Sequence, residues 1–285
     1  MNTVKTTILM ALLMGVLVAV GGAIGGSHGA SIMFVIAVGM NFYSYWNSDS
    51  MVLRMYNARE IGPSEAPELY RMVENLAARA ELPMPRVCII DSPEPNAFAT
   101  GRNPEHAAVA VTTGIMRTLN YNELSGVVAH ELAHVKHHDI LISTIAATFA
   151  TMISWIANMA QWAAIFGRSD DEEHGGFFGS LATIIIAPLA AGLIQMAISR
   201  SREFEADYGG GEICGHPEYL ADALEKMEYY ARNSQPMAQA TPATAHMFIV
   251  NPLENAKKSM ANLFSTHPQT SDRVARLRQQ AREIR

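Results

Sequence analysis

The sequence predicts a mainly α-helical, multi-span membrane protein, in which four helices in the bilayer carry a water-facing domain with a small β-sheet. Two observations predict it. Asp, Glu, Lys and Arg are absent from residues 6–48, 140–167 and 174–199, and uncharged apolar stretches of about 20 residues are long enough to cross a hydrocarbon core. Elsewhere the composition is that of a soluble domain, so charged residues make up only 17% of the chain, against roughly 25% in ordinary globular proteins. The chain divides accordingly into a two-span hairpin at 1–48, a first part of the water-facing domain at 49–139, a second hairpin at 140–199 and a second part of the domain at 200–285.

Each element has its own sequence reason. In the first hairpin one span runs near Thr7 to Ile24, the break falls at Gly25 to Gly29, and the second span runs near Ser31 to Trp46. Phe42, Tyr43, Tyr45 and Trp46 close it, as aromatics do at headgroup level. Leu69, Met72, Val73, Leu76 and Ala80 recur at helical spacing behind a Ser64 cap. Residues 86–90, 97–100 and 107–112 read as short strands, the last two forming a hairpin around Gly101 to Pro104. Asn120 and Glu123 form a capping-box pattern, which starts a helix expected to run through His130 to Asp139 and on into the third apolar stretch. Pro188 interrupts the fourth stretch, where membrane helices tolerate it. Helices are expected again at 217–232 and 271–283.

Charge gives an orientation and excludes one class of partner. Lys5, Arg54, Arg59, Arg200 and Arg202 flank the apolar stretches, and the positive-inside rule puts them in the cytoplasm together with both termini and the domain. The loop of Arg168, Asp170, Asp171, Glu172 and Glu173 then lies outside. That loop carries −3 (one Arg against four carboxylates) of the formal net charge of −6, and nothing in the remainder suggests nucleic acid. Cys88 and Cys214 show no pairing or metal spacing and read as buried thiols in a reducing compartment.

The chemistry begins at His130-Glu131-Leu132-Ala133-His134. Residues four apart lie on one helix face, so both imidazoles can reach one zinc ion while Glu131 stands beside the metal as a general base. Such a carboxylate takes a proton from the attacking water and passes it to the leaving amine. His137 and His138 extend the histidine run, but His130 and His138 lie about 12 Å apart along the axis, too far to share an ion. They read as polar residues at the membrane boundary.

A third ligand is needed, and Ser201 to Asp207 supplies the candidates, because the second hairpin returns the chain to the depth of His134. The pattern leaves Glu203 and Glu205 open. Two residues' separation turns a helix by about 200°, so only one of them can face the histidines. Glu203 is favoured because Asp207 shares its face, where it can accept the outer N–H of a ligand histidine, and because Ala206 permits close helix approach.

At this point the chain resembles the HtpX family of bacterial membrane zinc metalloproteases, relatives of the CAAX prenyl endopeptidases. The resemblance spans nearly the whole length. It is carried by the amino-terminal hairpin, residues 95–101, 111–114 and 123–134, Asp139, residues 199–207, Phe264 to Pro268, and Arg273. It implies a zincin-like fold, one zinc held by His130, His134 and Glu203, catalysis by Glu131, and cleavage of misfolded or damaged membrane proteins at the cytoplasmic face of the inner membrane in a stress response. His267 reads as a turn residue before Pro268, with oxyanion stabilisation as the alternative. The arginines from Arg273 to Arg285 read as a solvated helix face. An extended substrate can add to an edge of the small sheet.

Two rival readings remain at this stage. One is a narrow-specificity protease of the prenyl-peptide type, and the other a non-hydrolytic metal-binding membrane scaffold. A zinc transporter would want polar ligands inside its spans, whereas here they lie beyond the apolar stretches.

Overall fold

The computed structural model describes residues 2–145, 200–233, 249 and 268–284. The expected second hairpin (apart from residues 140–145, which are helical), its acidic loop and His267 lie outside the described residues.

The first element, α1 (Asn2–Trp46), is helical along its length but not straight. Gly26 has φ +58°, and the Asn41 side-chain amide donates to the Met10 carbonyl at 3.3 Å. In a straight helix those residues would stand about 46 Å apart, so the chain folds back on itself within the predicted glycine break. Gly21 and Gly29 meet in the crossing, where a Cβ on either would collide with the other arm. No helix among the described residues is long and apolar enough to cross a membrane. A short helix α2 (Ser48–Met55) follows.

A four-stranded sheet forms from β1 (Arg59–Glu60), β2 (Arg86–Ile90), β3 (Ala97–Thr100) and β4 (Ala108–Thr112), in the order β1-β2-β4-β3. β2 and β4 run parallel, while β3 pairs antiparallel with β4 as the expected hairpin and lies at the sheet edge. Alternation sorts its side chains. Val87, Ala97, Ala99, Val109 and Val111 join the main core, while Cys88, Phe98, Ala108 and Ala110 pack against Val52 and Leu53 of α2 and Tyr56 at its end. Both faces are covered, which explains why β4 is buried at every position.

The main core lies between the sheet and the helices α3 (Pro67–Arg79), α5 (Tyr121–Lys136), α6 (Arg200–Cys214), α7 (Pro217–Asn233) and α8 (Thr270–Glu283). A short helix α4 (Thr113–Thr118) joins β4 to α5, capped by the Thr112 hydroxyl. α3 departs from expectation at its start. Ala66 is the N-cap and has no polar side chain to cap the helix, which starts instead with Pro67 in the first turn, its φ already set for a helix.

The Asn120 cap is as expected. Its side chain accepts from the Glu123 amide at 3.0 Å, and Glu123 accepts from the Asn120 amide at 2.8 Å. Lys226 of α7 also reaches the Glu123 carboxylate at 2.6 Å, tying α7 to the start of α5. The helix does not continue to Asp139. It ends at Lys136, and His138 takes φ +57°, the left-handed region that stops a helix.

Candidate active site

α5 is central to the domain, and small residues let its neighbours approach it closely. A Cβ at Gly126 would strike the backbone of Leu220 in α7, and one at Gly210 would strike the backbone of His130. Ala206 is fully buried in the same contact between α5 and α6. The helix axes therefore come near enough for side chains of α6 to meet those of α5.

His130 and His134 stand on one face of α5, with ring centroids 4.8 Å apart and planes nearly perpendicular. Glu203 of α6 bridges them. Its Oε2 lies 3.8 Å from His130 Nε2, and its Oε1 lies 3.5 Å from His134 Nε2. The three side chains offer ligand atoms all within 4.8 Å of one another and could hold a metal ion. Glu205 is exposed, two positions away on the outer face of α6, beside Tyr208 and Glu212. His137 faces Gly209, and neither it nor His138 joins the group.

The Glu131 side chain reaches from α5 to the sheet edge. Its Oε2 accepts the backbone N–H of Ala99 in β3 at 2.8 Å. Burial pushes its carboxyl above the ordinary range, against the opposing pull of His130, His134 and the Ala99 amide.

The far nitrogens of both histidines face carboxylates. His130 Nδ1 lies 3.0 Å from Asp207 Oδ1, and His134 Nδ1 lies 3.3 Å from Asp139 Oδ2. Each aspartate in turn faces an arginine. Arg273 grips Asp207 with two bonds of 2.7 and 2.8 Å and donates to the Ile249 carbonyl at 2.9 Å. Arg202 NH1 lies 3.8 Å from Asp139 Oδ1. Although burial raises the Asp207 carboxyl, Arg273 and His130 hold it down at about 2. Burial likewise opposes protonation of His134, yet Asp139, Glu203 and Glu131 lift it to about 9. Four carboxylates crowding two imidazoles make an environment that a cation would relieve.

The resemblance named Asp139, Arg202 and Arg273, but the contacts they make were not legible in the sequence. Arg273 is not on a solvated face as expected but 1% exposed, because α8 packs this position inward next to Leu277. Asp139 sits five residues after His134 and reaches it only because the left-handed turn at His138 brings the chain back, with the Asp139 amide bonded to the His134 carbonyl. Arg202 is buried beside it. The motif gave no signal for either arginine.

The chain is similar to known proteins. The profile of Peptidase family M48 matches residues 63–281. A Protease HtpX homolog of Burkholderia thailandensis is 56% identical over 282 residues, covering 99% of this chain and 98% of the relative. One from Burkholderia pseudomallei has the same identity and coverage. Among solved structures, Ste24p of S. mikatae superposes with a TM-score of 0.51 at 16% identity, covering 97% of this chain. The present chain spans 65% of that structure, and at such identity the likeness is one of fold.

Proposed function

The chain belongs to peptidase family M48 as an HtpX-family protease, and from that premise we propose that it is a zinc-dependent endopeptidase of the membrane. The observation that carries the metal assignment is the convergence of His130, His134 and Glu203 on one point, with Glu131 next to it. Two imidazoles and one carboxylate are a donor set that suits catalytic zinc.

A zinc ion bound there supplies Lewis-acid activation of water and of the scissile carbonyl. The remaining work falls to the side chains. Glu131 takes the proton of the attacking water and returns it to the leaving amine, and its raised carboxyl is suited to both acts. Asp139 accepts the outer N–H of His134, and Asp207 stands 3.0 Å from the outer nitrogen of His130, an arrangement that favours the tautomers leaving Nε2 for the metal.

Strand β3 is the surface on which an extended substrate would lie. It is the sheet edge beside Glu131, and added main-chain pairing recognises backbone with little regard to sequence. Its far end meets α1. The Arg102 guanidinium, just past β3, sits 4.7 Å over the Trp46 ring and donates to the Trp46 carbonyl at 3.1 Å.

Membrane attachment rests on the charge-free stretches at 6–48, 140–167 and 174–199, and on the apolar surface of α1, where Ile32, Phe34, Val35 and Phe42 are at least half exposed. An apolar surface of that kind suits lipid. The substrates proposed are misfolded or damaged membrane proteins cut at the cytoplasmic face of a bacterial inner membrane, with both termini on that side.

Cleavage of a denatured protein by the detergent-purified full chain tests the reading. Activity should vanish with a chelator and return with added zinc. Activity indifferent to both would reject the metal assignment while leaving the family membership intact.

A further inference from the structure

The two histidines are backed in parallel but not in the same way. Behind His130 stands the tightly gripped pair Asp207 and Arg273, whose members belong to α6 and α8. Behind His134 stands a looser pair, in which the two oxygens of Asp139 divide their work. Oδ2 faces His134 Nδ1 at 3.3 Å, and Oδ1 faces Arg202 NH1 at 3.8 Å. Asp139 is 3% and Arg202 9% exposed at the side chain, so solvent screens the pair little.

We propose that Arg202, acting through Asp139, is a positioning residue for His134. The reason is geometric. Asp139 lies outside α5, on the far side of the left-handed turn at His138, and α5 itself does not dictate its direction. Its amide bond to the His134 carbonyl places its backbone but not its carboxylate. Arg202 approaches from α6, one position before Glu203, and faces the oxygen that His134 does not use. The same short stretch of α6 therefore contributes both the third candidate ligand and the group that aims the second histidine.

Placement in the chain adds a consequence. Asp139 directly precedes residues 140–199 and Arg202 follows them closely. The pair therefore joins the two ends of that segment at the root and makes the direction of His134 depend on how those ends sit together. His130 is backed instead by Asp207, further along α6, and by Arg273 of α8.

This inference rests on the reading of His130, His134 and Glu203 as a zinc site, and the experiment separates the two. Zinc affinity of the purified full chain is measured by competition with a chromogenic chelator, and cobalt(II) is substituted to record its visible spectrum. Wild type should bind one ion and His134→Ala should lose it, and failure of either rejects the zinc site itself.

Given a zinc site, Asp139→Asn should weaken affinity by about 10- to 100-fold, as outer-shell changes do. Arg202→Gln should weaken it by a smaller factor and shift the cobalt spectrum, with kcat falling more than KM rises. Arg202→Lys should recover part of the affinity, and adding Arg202→Gln to Asp139→Asn should cost nothing further. Multiplying losses in the double variant, or an Arg202→Gln enzyme with wild-type affinity and spectrum, would overturn the proposal. Thermal unfolding of the metal-free variants guards against global loss of fold. If Arg202→Gln does not fold, Arg202→Met decides, and wild-type affinity and spectrum there overturn the proposal.

Discussion

The Ala99 amide of β3 donates to the Glu131 carboxylate at 2.8 Å, so the sheet edge and the proposed base are joined by one bond. Glu131→Gln keeps an acceptor oxygen for that amide and leaves His130, His134 and Glu203 untouched. The variant should retain its metal and its fold while proteolysis falls by at least about 100-fold, the usual scale for losing a general base. Metal content and peptide cleavage measured on one preparation check it, and normal cleavage would reject the role of Glu131.

Glu203 and Glu205 offer a second contrast. Glu203 lies within 4 Å of both histidines, while Glu205 points out beside Tyr208. Glu203→Ala should lower zinc affinity sharply and abolish cleavage, and Glu205→Ala should keep most of both. Zinc analysis of the two purified variants decides. Loss of metal in Glu205→Ala with retention in Glu203→Ala would refute the ligand assignment.

The contrast shows what the sequence makes legible. Periodicity placed Glu203 and Asp207 on one face because a helix repeats predictably, and the structure brings both to α5. The three strands and the Asn120 capping box were read for the same reason, since their signals are local. The contact of Asp139 with His134 escaped, although the resemblance named the residue, because its approach depends on a left-handed residue, His138, which no helical pattern announces. The burial of Arg273, which the resemblance also named, escaped because it depends on α8 docking against α6 and α7, a contact between distant segments, and an arginine with several others nearby reads as a charged face. β1 is two exposed residues long and carries no periodic signal.

Arg273 and Asp207 are both almost fully buried and bonded twice. Arg273→Met removes one partner and leaves an uncompensated carboxylate, which costs about 3–5 kcal/mol at buried pairs. Adding Asp207→Asn removes the charge, keeps an oxygen towards His130 and should recover part of that loss. Denaturant unfolding of the metal-free forms reads it out. A single variant as stable as wild type would mean the pair is better solvated than its burial indicates.

The proposed topology puts Ser169 outside the cytoplasm and Ser64, exposed in the turn before α3, inside it. Native cysteines cannot report on this. Both thiols are buried, and burial pushes the Cys88 thiol up to about 11 despite the opposing charge of Arg86. Its reactive thiolate is therefore scarce below that pH. Folding favours the protonated thiol, a stabilisation complete below the ordinary thiol value of 9.0 and lost as pH rises through about 11. Neither native thiol should react with an alkylating reagent at pH 8 until the protein is unfolded, whichever side of the membrane it occupies. Introduced reporters avoid the problem. An impermeant maleimide should label Ser169→Cys in intact cells and Ser64→Cys only after permeabilisation, because the positive flanks at Lys5, Arg54, Arg59, Arg200 and Arg202 are retained inside. The reverse pattern would invert the topology and move the proposed active site to the other face. Labelling of both in intact cells would mean that Ser64 is also outside, and with it the domain that carries His130.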